Sequence, residues 1–258
     1  MSRAMALLAV LLLFGSATIS LSATAVTNEP RDPPNVNIGF VVPLTGPIAV
    51  YGPGFQATGN IAEEHINAMQ NQYNFEIVEA DSACDGNQGA TGAQVLVDAG
   101  VVAVAGAACS GATMGANSVL SAAGITQVAY ASTNPGLSDS NTYPLFFRVV
   151  RSDALPGHAL AGVLNSTGES NPAVLYAQSD YGAGLADAFE DAWGTWNLCE
   201  TIPYSQTADF HSEVQQVLDS GCDSVVLIPY GTGEAMPLID ELDDHGFSGS
   251  IVCGEGCG

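Results

Sequence analysis

The sequence predicts an α/β protein built as two doubly wound parallel-sheet lobes with a ligand cleft between them. Three observations carry this. Short apolar runs alternate with stretches of helical periodicity along nearly the whole chain, the pattern of strands buried beneath crossover helices. The alternation breaks once, near Val150 to Asp153, which divides it into two series. Small and polar residues gather directly after the apolar runs, at the carboxyl ends of strands where open α/β sheets hold their ligands.

Taken in order, Val36 to Val42 reads as a buried strand, and Gln56 to Met69 as a helix with Ile61, Ala62 and Ile66 on helical spacing. Strand Phe75 to Ala80, helix Gln88 to Asp98, strand Val101 to Ala105, helix Ala112 to Ala122 and a short strand Gln127 to Tyr130 follow. After Phe146 to Arg151 the second series runs through helix Ala154 to Leu164, strand Ala173 to Ala177, helix Gly184 to Trp193 and strand Glu200 to Tyr204. Helix Phe210 to Leu218, strand Ser224 to Pro229, helix Glu234 to Asp244 and strand Ser250 to Cys253 complete it. Lobe 1 is therefore expected over 36–151 and lobe 2 over 152–258. Only a few residues follow the last strand, so the second lobe is expected to be incomplete at its C-terminal side.

Residues 1–25 carry an arginine, an apolar run from Ala4 to Gly15 and the small-x-small sequence Ala23-Thr24-Ala25, the pattern of a secretory signal peptide. The run falls short of the ~20 residues that cross a bilayer. A Pro-rich linker over 26–35 follows. The first cysteine is Cys84, so no thiol stands near the cleavage site for lipid attachment. The mature protein is expected outside the cytoplasm, secreted or periplasmic, or at the outer face of the membrane. In that setting six cysteines are expected to pair. Asn165-Ser-Thr is a glycosylation acceptor pattern, though such triplets are common by chance.

Composition excludes several classes. Hydrophobic residues make up 47% of the 258 and charged residues 12%, which is the balance of a chain that folds. Against 27 acidic residues stand four arginines and no lysine, a formal net charge of −23. Nucleic acid is not an expected partner, because phosphate binding needs a basic footprint. Such acidity repels itself unless salt screens it and points softly to a saline environment.

Catalytic and cofactor motifs are weak. Gly52-Pro-Gly54-Phe-Gln-Ala57 matches GxGxxA, but in the nucleotide fingerprint the first glycine follows its strand directly, whereas here a long loop intervenes. GxSxG and HExxH are absent, and the four histidines His65, His158, His211 and His245 stand far apart in sequence, each reading as a surface helix residue. Cys253 and Cys257 without partner ligands point to disulfide chemistry rather than a metal. The expectation is a binding protein, not an enzyme, with no cofactor and no metal.

The informative segments follow strands. In Cys109-Ser110-Gly-Ala-Thr113, Ser110 falls where a helix begins, so its hydroxyl is first read as a cap; the same helix end would also hold a carboxylate. Ala129-Tyr-Ala131-Ser-Thr133-Asn-Pro135 ends a strand in a polar turn, Ser179-Asp-Tyr181-Gly-Ala-Gly184 opens a helix, and Gly254-Glu255-Gly256 presents a carboxylate between glycines.

Together with Ile38-Gly-Phe-Val-Val-Pro-Leu-Thr-Gly-Pro47, Tyr51-Gly52 and Asp81-Ser-Ala-Cys84-Asp, these segments resemble the leucine/isoleucine/valine-binding proteins, with their type I periplasmic binding fold, in order and spacing from Val36 to Gly258. The resemblance implies that Ser110, Thr133 and the backbone of Ala131 hold the carboxylate and ammonium of an amino acid. It implies that Glu255 meets the ammonium from the other lobe, that Tyr51 and Tyr181 wall the cleft, and that Cys84 pairs with Cys109. Cys199 and Cys222 are the next expected pair, since both precede strands that could be neighbours. Cys253 and Cys257 are not associated with that family and could reshape the wall around Glu255.

The implied function is a monomeric solute-binding protein. It captures an amino acid, the branched-chain type first, and delivers it to the membrane permease of an ABC transporter. The alternatives are the ligand-binding domain of a sensory receptor, or a binder of an amide or urea-like solute.

Overall fold

The structure, a computed structural model, describes residues 32–70, 72–194, 198–205 and 209–257; the expected signal peptide and most of the linker lie outside these. The chain from Pro34 onward forms one compact unit. Its first sheet has five strands, β1 (Asn35–Val42), β2 (Asn74–Asp81), β3 (Ala103–Ala105), β4 (Thr126–Ala129) and β5 (Phe146–Arg148), all parallel and in the order β2-β1-β3-β4-β5. Helices α1 (Gly52–Met69), α2 (Gly86–Asp98) and α3 (Ser110–Ala122) connect the first four.

A second parallel sheet holds β6 (Pro172–Ala177), β7 (Glu200–Tyr204), β8 (Ser224–Ile228) and β9 (Ser250–Cys253) in the order β7-β6-β8-β9. Helix α4 (Ala154–Thr167) leads into it, and α5 (Asp180–Trp193), α6 (His211–Ser220) and α7 (Thr232–Asp244) link its strands. Both sheets therefore wind the same way: the second strand lies to one side of the first and the third to the other. The crevice where the winding reverses opens between β1 and β3 in one sheet and between β6 and β8 in the other, and that is where doubly wound sheets place ligands.

The periodicity is readable because these sheets are covered on both faces. All five residues of β8, Ser-Val-Val-Leu-Ile, are buried, the continuous apolar run of a parallel strand with helices above and below. Val225 and Leu227 pack with Phe210, Val214 and Leu238 on one face, while Val226 and Ile228 pack with Leu160, Leu185 and Phe189 on the other, as alternation along a strand requires. In the first sheet Val41 and Val104 meet Leu96 and Leu120.

The helix starts deviate most from expectation. Helix α1 begins at Gly52 with a proline in its first turn, a position where the missing N–H costs nothing. The GxGxxA segment is thus helical rather than a phosphate-holding loop. Helix α5 begins at Asp180, with Ser179 Oγ accepting from Gly182 N–H at 3.0 Å.

All six cysteines pair as Cys84–Cys109, Cys199–Cys222 and Cys253–Cys257, with Cα separations of 5.2, 5.5 and 6.1 Å. The first ties the loop after β2 to the start of α3. The third brackets Glu255. Non-reducing peptide mapping of the protein is expected to recover these three links; a free Cys84 would break the first.

Candidate functional site

The loops that leave the carboxyl ends of the strands meet around a cavity of about 200 Å³. From the first lobe come Ile48 and Tyr51 after β1, Ala108 to Ser110 after β3, and Ala131 and Thr133 after β4. From the second come Tyr181 after β6, Tyr230 after β8, and Glu255 and Gly256 after β9. All six residues singled out from the sequence, Tyr51, Ser110, Ala131, Thr133, Tyr181 and Glu255, thus line one space. A larger hollow beside α4 and α5 is lined by His158, Asn165 and Trp193 and shares no residue with this cavity.

Ser110 corrects one expectation. It is the first residue of α3, whose cap is Cys109, and no side chain caps this helix. Instead Ser110 Oγ accepts from the Asn134 backbone N–H at 3.2 Å while only 1% exposed. The reason is positional: a hydroxyl inside the first turn cannot reach back to the amides that a preceding residue would cap. Helices α2 and α5, by contrast, are capped by Asp85 and Ser179. The uncapped N-terminus of α3 therefore presents amides and positive dipole beside the cavity.

The floor is stiffened by a buried polar network. Thr113 Oγ1 and Ser132 Oγ share a hydrogen bond at 2.6 Å, and Ser132 also reaches the carbonyls of Ala107 and Ala108 at 3.0 and 3.1 Å. Arg148 Nη1 donates to Asn134 O at 2.9 Å, which pins the turn that carries Thr133.

The lobes touch beside the cavity. Asn134 Nδ2 donates to the Asp180 carbonyl, and a β-carbon on Gly111 or Gly184 would fall 2.3 Å from Asp180 Oδ2 or 2.2 Å from Asn134 Nδ2. A larger residue at either position would push aside the Asp180 or Asn134 side chain that bridges the lobes here. Asp180 beside the α3 N-terminus also has a favourable charge–dipole interaction. Tyr181 and Tyr230 pack with ring centroids 5.5 Å apart, and burial followed by the charges of Asp153 and Glu255 raises the Tyr181 phenol pKa well above its usual value.

Glu255 sits in a short 3-10 turn, Glu255–Cys257, and pairs with Arg151 at 2.9 Å, the two side chains 44% and 67% exposed. Sequence reading passes over Arg151, Tyr230 and, above all, Asp153. Asp153 is fully buried where the chain crosses from β5 to α4, and neither carboxylate oxygen has a well-formed hydrogen bond. It does not cap α4. Burial pushes its pKa up to about 6, with the Thr133 hydroxyl and the arginines 148 and 151 acting the other way and Glu255 adding to the rise. Its position in the inter-lobe crossing hid it; Tyr230 could have been found, since it follows a strand as the other site residues do.

Two lobes with the same winding thus place one cavity at the joint of their switch points. Residues 35–256 match the periplasmic binding protein family, and the chain belongs to it. It is 29% identical over 247 residues to a Leu/Ile/Val-binding protein homolog of Brucella melitensis, covering 93% of this chain and 65% of the relative. It is also 29% identical over 253 residues to an amino acid binding protein of Pseudomonas aeruginosa, covering 96% and 66%. The chain therefore spans just under two thirds of these relatives' length. Among solved structures, the isoleucine complex of a branched-chain amino acid transporter substrate-binding protein from Streptococcus pneumoniae superimposes with a TM-score of 0.72 at 24% identity, over 86% of this chain and 64% of that one. A solute-binding protein from R. palustris in complex with 4-hydroxybenzoate has the same TM-score at 20% identity, over 85% and 61%.

Proposed function

We propose that this protein captures a small zwitterionic amino acid between its lobes and delivers it to the permease of an ABC transporter. The observation that carries the reading is the polarity of the cavity: the start of α3 with Ser110 on the first-lobe side, and the Glu255 carboxylate on the second-lobe side. A carboxylate ligand end suits the first and an ammonium the second, and charge-assisted hydrogen bonds of this kind are the strong ones. The small volume agrees with a solute below drug size. Tyr51, Tyr181 and Tyr230 supply apolar walls for a side chain, which supports a branched-chain or similar ligand. An aromatic acid, as in the hydroxybenzoate complex, would fit the tyrosines but would offer Glu255 no ammonium.

The test is a thermal-shift screen of the intact protein against the amino acids, a few amides and hydroxybenzoates. A ligand at a hundred times its dissociation constant adds about 2.7 kcal/mol. Stabilisation by benzoates and not by any amino acid would overturn the reading. With the ligand in hand, Ser110→Ala is expected to weaken binding roughly tenfold, the loss of one hydrogen bond to a charged group of about 1.5 kcal/mol. Calorimetric titration checks this; unchanged affinity would place the carboxylate elsewhere.

A further inference from the structure

Two of the chain's four histidines, separated by more than thirty positions, meet on the outer surface of the second lobe around one carboxylate. His211 is the first residue of α6. Glu241 lies in the last turn of α7 and His245 directly follows that helix, four residues on, so both project from one face. His211 Nδ1 stands 3.2 Å from Glu241 Oε1, His245 Nδ1 stands 3.5 Å from the same oxygen, and the imidazole centroids are 4.7 Å apart. One donor atom from each residue lies within 4.8 Å of the other two.

We propose that His211, Glu241 and His245 form a surface site for a divalent transition cation of the zinc type. Zinc binds imidazole nitrogen and carboxylate oxygen at about 2.0 to 2.2 Å, which in a tetrahedron sets neighbouring donors roughly 3.4 Å apart, against 3.2 and 3.5 Å from the two histidine nitrogens to Glu241 Oε1. His245 Nδ1 also lies 2.9 Å from the Glu241 backbone carbonyl. Two imidazoles select zinc, nickel, cobalt or copper over magnesium and calcium, which take oxygen donors. All three side chains are reachable from solvent, and the fourth position is left to water. The cation would clip the start of α6 to the end of α7, steadying the second lobe without touching the cleft.

The test uses the intact protein freed of metal with chelator and titrated calorimetrically with Zn²⁺, with Mg²⁺ as the comparison. One saturable Zn²⁺ site is expected, together with a rise in melting temperature and, with Co²⁺ instead, the visible absorption of a tetrahedral complex. H211A and H245A should each weaken Zn²⁺ at least tenfold, whereas H158A, a histidine remote in sequence, should not. E241Q, nearly isosteric, gives a third reading if an alanine variant folds poorly. Absence of a saturable Zn²⁺ site, or one kept at unchanged affinity in the H211A/H245A double variant, would overturn the proposal, the latter by assigning the metal to the acidic surface at large.

Discussion

Asp153→Asn is expected to remove a pH-dependent loss of stability and, in the same stroke, to weaken the hold on an ammonium ligand. The carboxyl has an ordinary value of 3.8 and is pushed up to about 6 in the folded chain by burial. Between those values the folded state binds more protons than the unfolded one, so stability contributed by this group falls as pH rises through about 6. A displacement of that size corresponds to roughly 3 kcal/mol. The gap between wild type and variant should therefore shift in the variant's favour by roughly that amount as pH climbs from below 4 to above 7. Denaturant curves across this range read it directly, and the subtraction cancels the other carboxylates. Asp153 lies behind Thr133, which lines the cavity; an ammonium bound there would favour its ionised form, so wild-type affinity should rise with pH through about 6 and the variant's should not. The charged groups that act on Asp153 are Arg148, Arg151 and Glu255. A wild-type affinity that falls over the same range would remove Asp153 from the site.

Glu255→Ala should cost about 2 to 5 kcal/mol of binding free energy, the loss seen when one partner of a desolvated charge pair is truncated. That is roughly thirty-fold or more in dissociation constant. In the structure Glu255 is held by Arg151, an exposed pair worth at most about 1 kcal/mol, so the ligand displaces the arginine cheaply. Arg151→Ala should consequently leave affinity unchanged or improved. Calorimetry on both variants separates a ligand-facing Glu255 from a surface ion pair: equal affinity in wild type and Glu255→Ala would sink the zwitterion reading and favour an uncharged solute.

The double variant of Asp153 and Glu255 would show whether the buried carboxylate and the cavity-lining one act on the ligand independently. Groups around one ligand charge are not independent, so the combined loss should fall short of the sum of the single losses.

Local pattern made most of the architecture legible. Strands such as β8 are covered on both faces, so they appear as unbroken apolar runs, and helices between them show their own period; β7 (Glu200–Tyr204) and β9 (Ser250–Cys253) match their expected ranges. The ligand-facing loops were legible for the same reason: in a doubly wound sheet the carboxyl end of each strand is known once the strand is known. Helix starts were less so, because Gly52-Pro53 and Asp180-Tyr181 read as loop by composition and become helical only where the strand ends fix the turn.

Sequence alone thus settled the alternation, its division into two series and the segments that follow each strand, because these depend on neighbours within one helix turn or one strand. Three-dimensional packing decided everything that depends on distance between remote positions. It turned Ser110 from a cap into an acceptor for Asn134, buried Asp153 with neither carboxylate oxygen in a well-formed hydrogen bond, joined Arg151 to Glu255 and brought His211 to His245. Burial and electrostatic pairing are set by what folds over a residue, and no spacing along the chain encodes that.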